Sequence, residues 1–237
     1  MELALNTPHL DQALVQCTAL LSGKRVVLAI GNRLALTSTV LSAPIQPVCV
    51  GGATTEEEAF ALVQRQFPDL LIVSEELESG YGIRLLQRVR ERWPHMAQLI
   101  FLSRETQLVV QEALDAGANG VMFISSLGSG DGDFMQALRT IAAGGVYLPA
   151  ALQRLLAADR LNLPPLVEPL SPREHQVVAA VARGLTNVEI GDAMEISHET
   201  VKTHVANAMD KLAVRDRTQL AVMALLHGLI DPLPVTG

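Results

Sequence analysis

The side chains best suited to chemistry in this sequence lie between Ser197 and Lys211. Ser197 stands where a helix N-cap belongs, just ahead of a run with apolar residues at helical spacing. At about 100° per residue, Val201, Val205, Ala208 and Leu212 fall on one side and form a core stripe. Thr203, Ala206, Asn207 and Asp210 fall opposite, with Lys202 beside them and His204 and Lys211 on the other flank. Short side chains on an outer face, flanked by basic and polar groups, allow a helix to approach base edges while its flanks reach phosphate. A solvated helix face has the same periodicity, so the surrounding elements must decide. Enzyme chemistry has no comparable constellation. The histidines are scattered, and no His/Cys/acid cluster has metal-ligand spacing. Gly128-Ser129-Gly130-Asp131-Gly132 is glycine-rich, but no Gly-Lys-Ser/Thr follows, so it is not a phosphate loop. No enzyme activity, metal or cofactor is expected.

The flanking elements support a nucleic-acid reader. Ser171, Pro172 and Glu174 make an N-cap, a first-position proline and a capping box for a helix over 172–183, with Val177, Val178 and Val181 inward and Gly184 as its stop. Thr186 and Glu189 form a second capping box and start a short helix through Ala193. The turn Met194-Glu195-Ile196 leads to the Ser197-capped helix. Two short helices joined by a tight turn are the helix-turn-helix arrangement, whose second helix can enter the major groove.

Leu170 to Ile230 therefore resembles the C-terminal domain of LuxR-type (NarL/FixJ) transcription regulators. The resemblance rests on Ser171-Pro172-Arg173-Glu174, Gly184-Leu185-Thr186-Asn187-x-Glu189-Ile190, Thr200-Val201-Lys202-Thr203-His204-Val205-x-Asn207 and Arg215-Asp216-Arg217-Thr218-Gln219. It implies a four-helix domain in which Lys202 and Thr203 face bases, while Thr200, His204, Asn207 and Lys211 hold the backbone or orient the helix. Asn187 and Ser197 complete the expected DNA-contacting set. Ala206 occupies an outer position where some relatives carry a base-contacting Lys. The last helix, roughly 218–227, is expected to pair two copies through Val222 and Leu226, so the implied partners are double-stranded promoter DNA, as an inverted repeat, and a second copy of the chain. Counted through Asp231 the domain is not basic: Arg173, Arg183, Lys202, Lys211, Arg215 and Arg217 face eight acids. Non-specific affinity should be weak and salt-sensitive, and dimerisation on two half-sites would compensate.

The first half alternates strands and helices. Strand patterns cover 25–30, 46–50, 70–73, 98–102 and 121–124. Helical patterns follow each, through about Leu41, then 54–66 with Thr54 as N-cap, 83–92, 107–116 and 134–143. Five strand–helix pairs imply an α/β fold with a five-stranded, doubly wound parallel sheet, its functional edge at the carboxyl ends of the strands. The pattern over Lys24–Gly144 resembles the receiver domain of response regulators, anchored by Pro68-Asp69-Leu70-Leu71-Ile72-Val73, Gly82 and Ala116-Gly117-Ala118-Asn119-Gly120.

A working receiver needs two acids for Mg²⁺, a phosphoacceptor Asp, a Ser/Thr hydroxyl and a Lys. By the resemblance Gly31 and Asn32 occupy the acid places, Ser74 the phosphoacceptor place, Ser103 the hydroxyl place and Ile124 the Lys place. Four of the five groups are missing. Mg²⁺ wants hard anionic oxygens, and a serine hydroxyl without a base is a poor nucleophile. The chain is expected to carry a pseudo-receiver. Glu75 and Glu76 read as acids in a solvated loop. The other reading, a carboxylate standing in for the acyl phosphate, would require a one-residue slip that reverses strand faces. Arg104 is open between an exposed side chain, a filler of the vacated pocket and a partner for Glu75 or Glu76.

Composition bounds the rest. With 237 residues, two main domains are expected. Residues 1–22 read as an N-terminal helical extension (Leu10, Leu14, Cys17 and Leu21 at helical spacing), 23–147 as the pseudo-receiver, 148–169 as a helix and Pro-rich linker, and 170–237 as the helix-turn-helix domain. Despite a mean hydropathy of +0.28, no apolar run approaches the roughly 18 residues of a spanning helix. Cys17 and Cys49 suit a reducing cytoplasm rather than a disulfide scaffold, and a net charge of −7 opposes general attraction to DNA or anionic membranes. The sequence reads as a cytoplasmic, dimeric, phosphorylation-independent transcription regulator. The alternative is a signalling scaffold or ligand sensor that works through the pseudo-receiver, binding a protein or small molecule there, with little DNA binding.

Overall fold

A computed structural model of the chain describes residues 8–126, 133–149, 152–153, 170–226 and 229. Five parallel strands, β1 (Val26–Ala29), β2 (Cys49–Ala53), β3 (Leu70–Ser74), β4 (Ala97–Leu102) and β5 (Gly120–Phe123), pair in the order β2-β1-β3-β4-β5. This is the doubly wound order in which chain reversal beside β1 opens a crevice at the strand carboxyl ends. The inner strands β1, β3 and β4 are apolar at nearly every position because both faces are covered. On one face lie α3 (Glu56–Gln66), α4 (Gly82–Arg92) and α5 (Gln107–Asp115), packed on Val27, Leu71, Val73 and Ile100. On the other, Cys17 and Leu21 of α1 (Pro8–Leu21) and Leu138 and Ile141 of α6 (Asp133–Ala142) pack on Val26, Leu28, Ile72 and Leu99. The helix α2 (Arg33–Val40) has no fully buried residue.

Two boundaries differ from the expectation. The second strand runs Cys49–Ala53, three residues later than read, because Gly51 and Gly52 belong to it. An edge strand pairs through backbone groups and needs no large side chain at these positions. The cap of α3 is Thr55, whose hydroxyl accepts from the Glu58 N–H, whereas the Thr54 hydroxyl donates to Glu78.

The C-terminal segment holds α7 (Pro172–Ala182), α8 (Asn187–Met194), α9 (His198–Lys211) and α10 (Arg217–Leu226). Both expected capping boxes are present: Ser171 with Glu174 and Thr186 with Glu189. The core is Val177, Val178, Val181, Ile190, Val201, Leu220 and Leu225. Besides its contacts with α7, α10 lies against α5, so the two apolar cores are continuous. The helix expected at the start of 148–169, from Leu148 to Ala158, does not include Leu148 and Pro149, which are not helical, whereas Leu152 and Gln153 are. The rest of that helix, the Pro-rich linker and the glycine-rich stretch 128–132 lie outside the described residues.

Candidate functional site

The turn between α8 and α9 is set by two residues. Glu195 closes α8 in the left-handed region (φ 55), its N–H returning to the Gly191 carbonyl. A Cβ on Gly191 would lie 2.7 Å from the Ile196 carbonyl oxygen, so glycine is what lets α9 begin this close to α8. Ser197 caps α9, accepting from the Thr200 N–H at 3.1 Å, and its hydroxyl meets that of Thr200 at 2.8 Å. Two turns of α9 then present Lys202, Thr203, Ala206, Asn207 and Asp210 to solvent as one exposed strip, with Val201, Val205 and Ala208 buried behind it. His204 is half-buried on its flank. The Thr203 hydroxyl donates back to the Glu199 carbonyl, and the Lys202 ammonium donates to the Glu199 carboxylate at 2.8 Å. That pair, with a smaller contribution from His198, holds Glu199 below the usual carboxylate range.

At the carboxyl ends of the strands, the positions expected to form a phosphorylation pocket are close together but occupied differently. The Ser74 hydroxyl accepts from the Gly31 N–H at 3.1 Å and donates to the Glu76 carbonyl at 2.7 Å. The loop after β3 folds back over Gly31. A Cβ there would lie 2.5 Å from the Glu76 carbonyl oxygen and 2.7 Å from the Leu77 Cα. Asn32 is the N-cap of α2, accepting from the Ala35 N–H at 2.9 Å. Ile124 is exposed at the start of a 3₁₀ turn, and Ser103 is exposed after β4.

The buried charge at this edge is Glu75, which is fully enclosed. One carboxylate oxygen accepts from the Ser103 N–H (2.8 Å), the Ser103 hydroxyl (3.0 Å) and the Arg104 N–H (3.0 Å); the other takes the Arg104 Nε. Burial pushes its pKa up, but the four donors outweigh it and hold the group below its ordinary value. The Arg104 guanidinium continues to the Tyr81 hydroxyl at 2.9 Å, which donates to Glu112 on α5 at 3.1 Å. Burial and the Glu112 carboxylate push the Tyr81 phenol up to about 12.

Comparison with known proteins fits both halves. Residues 33–123 match the family model described as the response regulator receiver domain, and residues 168–224 the one described as bacterial regulatory proteins, luxR family. The response regulator protein VraR of Staphylococcus aureus strain Mu3 is 30% identical over 195 residues, covering 82% of this chain and 91% of that protein. The chain is a LuxR-type response regulator. It thus belongs to a family of DNA-binding, non-enzymatic transcription factors. A structure of the RcsB response regulator of Salmonella typhimurium shares the fold, with a TM-score of 0.50 at 20% identity over 84% of this chain and 96% of that one. No helix among the described residues is long and apolar enough to cross a membrane, and no group of His, Cys, Asp or Glu among them could hold a metal ion.

The regulator's structure revises several expected roles. Lys211, expected to hold the DNA backbone or to orient the helix, donates its ammonium to the buried capping-box carboxylate of Glu174 at 2.9 Å, which ties the end of α9 to the start of α7 and so orients the helix. Asn187 is half-buried and its side-chain oxygen accepts from Arg217 at 2.8 Å, so it anchors α10. Val222 and Leu226 are 3% and 8% exposed, within the chain's own core, and offer little to a second copy in this conformation. Apolar residues four apart mark a buried helix face without saying whose surface buries it. Glu75 is not in a solvated loop, although its neighbour Glu76 is exposed. The strand ends at Ser74, so the alternation that would turn Glu75 away from the site no longer applies there. Arg104, left open by the sequence, is its partner. No sequence spacing advertises a pairing across two loops.

Proposed function

We propose that this regulator reads promoter DNA through the outer strip of α9, as a cytoplasmic homodimer on an inverted repeat, and that it does so without aspartyl phosphorylation. Gly31 carries the second part of this reading. It offers no side-chain carboxylate to Mg²⁺, and the Glu76–Leu77 backbone fills the space an acid side chain would need. Ser74, in the phosphoacceptor place, spends its hydroxyl on that same loop, and Ile124 brings no ammonium. For DNA reading the support is the family membership together with the open strip of Lys202, Thr203, Ala206 and Asn207, flanked by Ser197, Thr200 and His204. The test is selection of genomic DNA fragments by the purified, unphosphorylated protein, where a short inverted repeat is expected. A phosphoryl adduct on the wild type after acetyl phosphate and Mg²⁺ would overturn phosphorylation independence. A stronger version uses Ser74→Asp/Ile124→Lys. Two of the missing groups then return, yet no adduct is expected in the intact mass, because no acid can stand at position 31 beside the folded loop.

One observation favours the scaffold alternative. Both lysines of α9 already hold carboxylates, Lys202 with Glu199 and Lys211 with Glu174. For Lys202 the pair is exposed and therefore weak, so DNA can displace it. Glu199→Gln should then raise affinity for the selected repeat about threefold to tenfold at low salt, by freeing Lys202 and removing a charge that repels phosphate. Unchanged binding in a titration of the two proteins would show that the pair does not compete with DNA and would strengthen the scaffold reading.

A further inference from the structure

The phosphorylation pocket lacks its reactive groups, yet its output side is tightly organised around Glu75. A fully buried carboxylate is costly unless paired and hydrogen-bonded, and here both oxygens are satisfied by the loop that follows β4. Two of the donors belong to Ser103, the residue in the hydroxyl place that would otherwise answer to a phosphoryl group. The hold does not end at that loop. Arg104 passes to the Tyr81 hydroxyl and lies 5.8 Å from its ring centroid, and Tyr81 passes to Glu112 in the middle of α5. The same helix, α5, is where α10 of the DNA-binding half rests. An anion, a switch-position hydroxyl, an arginine, a tyrosine and the docking helix thus form one unbroken polar chain.

We propose that Glu75 is a built-in anion that takes over the positioning work of the missing phosphoryl group: it fixes Ser103 and Arg104 and, through Tyr81 and Glu112, sets α5 as the seat for α10. The receiver's output surface is then established by folding rather than by phosphoryl transfer. Glu75 is a positioning residue in this scheme, and the scheme rests on the phosphorylation-independent reading given above.

The test is hydrogen exchange and small-angle scattering on the full chain, comparing wild type with Glu75→Gln, Arg104→Gln and Tyr81→Phe. Glu75→Gln and Arg104→Gln should each speed exchange at Ser103, Arg104 and through Gln107–Asp115 by about tenfold or more, while α3 keeps its wild-type protection. Tyr81→Phe should loosen Gln107–Asp115 but leave the Ser103 and Arg104 amides protected, because it cuts the chain downstream of them. In all three the radius of gyration should rise as α10 leaves α5. A merely local cap predicts faster exchange at Ser103 and Arg104 alone, with α5 and the overall dimensions unchanged, and that result would overturn the proposal. Should Glu75→Gln fail to fold, Arg104→Gln decides, since that side chain is 53% exposed and can be replaced without a buried void. The intact mass of the same wild-type sample after acetyl phosphate and Mg²⁺ separates the two ideas. An adduct sinks phosphorylation independence whatever the exchange data show, whereas no adduct with purely local loosening sinks only the role of Glu75.

Discussion

Glu56→Ala should cost the receiver half about 3 kcal/mol, the largest stability loss expected from any single polar side chain here. Glu56 is 2% exposed at the first turn of α3. It accepts from Arg84 and Arg88 of α4 and from the Tyr81 N–H, and its side chain packs under Gly80 (φ 97), where a Cβ would lie 2.4 Å from the Glu56 Cβ. One carboxylate therefore joins α3, α4 and the turn that brings the chain back from the pocket. Burial pushes its pKa up, but Arg84, Arg88 and the Tyr81 amide prevail and bring it from the ordinary 4.5 to about 2. Because the folded value lies below the unfolded one, this stabilisation is complete above about pH 4.5 and disappears as pH falls towards 2. Urea unfolding followed by circular dichroism should show a lower midpoint for Glu56→Ala at pH 7. The difference from wild type should shrink as the buffer is taken from pH 5 to pH 3. Equal midpoints at pH 7 would show that Arg84 and Arg88, exposed on their far sides, find water as good a partner as Glu56.

The parts of this molecule that were legible in the sequence are those whose signal is local. The capping boxes at Ser171/Glu174 and Thr186/Glu189, the cap at Ser197 and the stripe Val201, Val205, Ala208 all depend on residues within one or two turns, and each is present. The five strands were legible for a related reason, since a sheet covered on both faces demands unbroken apolar runs. The second strand was misplaced because Gly51 and Gly52, which normally punctuate, sit on an edge where backbone pairing alone suffices. What escaped is the long-range pairing. Lys211 with Glu174 and Asn187 with Arg217 join residues 37 and 30 apart, and Glu75 with Arg104, left as one of three alternatives, joins residues 29 apart; only the fold brings them into reach. A lysine on a helix flank looks the same in sequence whether it faces phosphate or a neighbouring helix. The residue types at 31, 32, 74 and 124 could be read from sequence, but the approach of the Glu76–Leu77 backbone to Gly31 could not, because it is made by the backbone of a loop.

Lys202→Ala should cost about 1–3 kcal/mol of DNA binding per recognition helix, and on the order of a hundredfold or more in affinity when two helices engage two half-sites. Lys202 is 56% exposed at the edge of the α9 strip, with the Thr203, Ala206 and Asn207 side chains beside it. With Lys211 committed to Glu174 and Ala206 lacking a charge, Lys202 is the cation this strip can turn towards the groove, so few other groups can compensate for its removal. The surrounding charge sharpens the effect, because with more acids than bases in the C-terminal half little non-specific attraction remains to mask the substitution. Two outcomes of a salt titration tell its roles apart. A base-reading lysine leaves the slope of log affinity against log salt nearly unchanged and relaxes preference at one position of each half-site. A phosphate-holding lysine weakens all sequences alike and flattens the slope by about one for each phosphate no longer neutralised. The outer position of Lys202 beside Thr203 leads us to expect the first pattern. Thr203→Ala should relax the adjacent base position by a smaller factor. If Lys202→Ala selects the same repeat with wild-type affinity, α9 is not the reading helix, and the protein's business lies with whatever binds its receiver half.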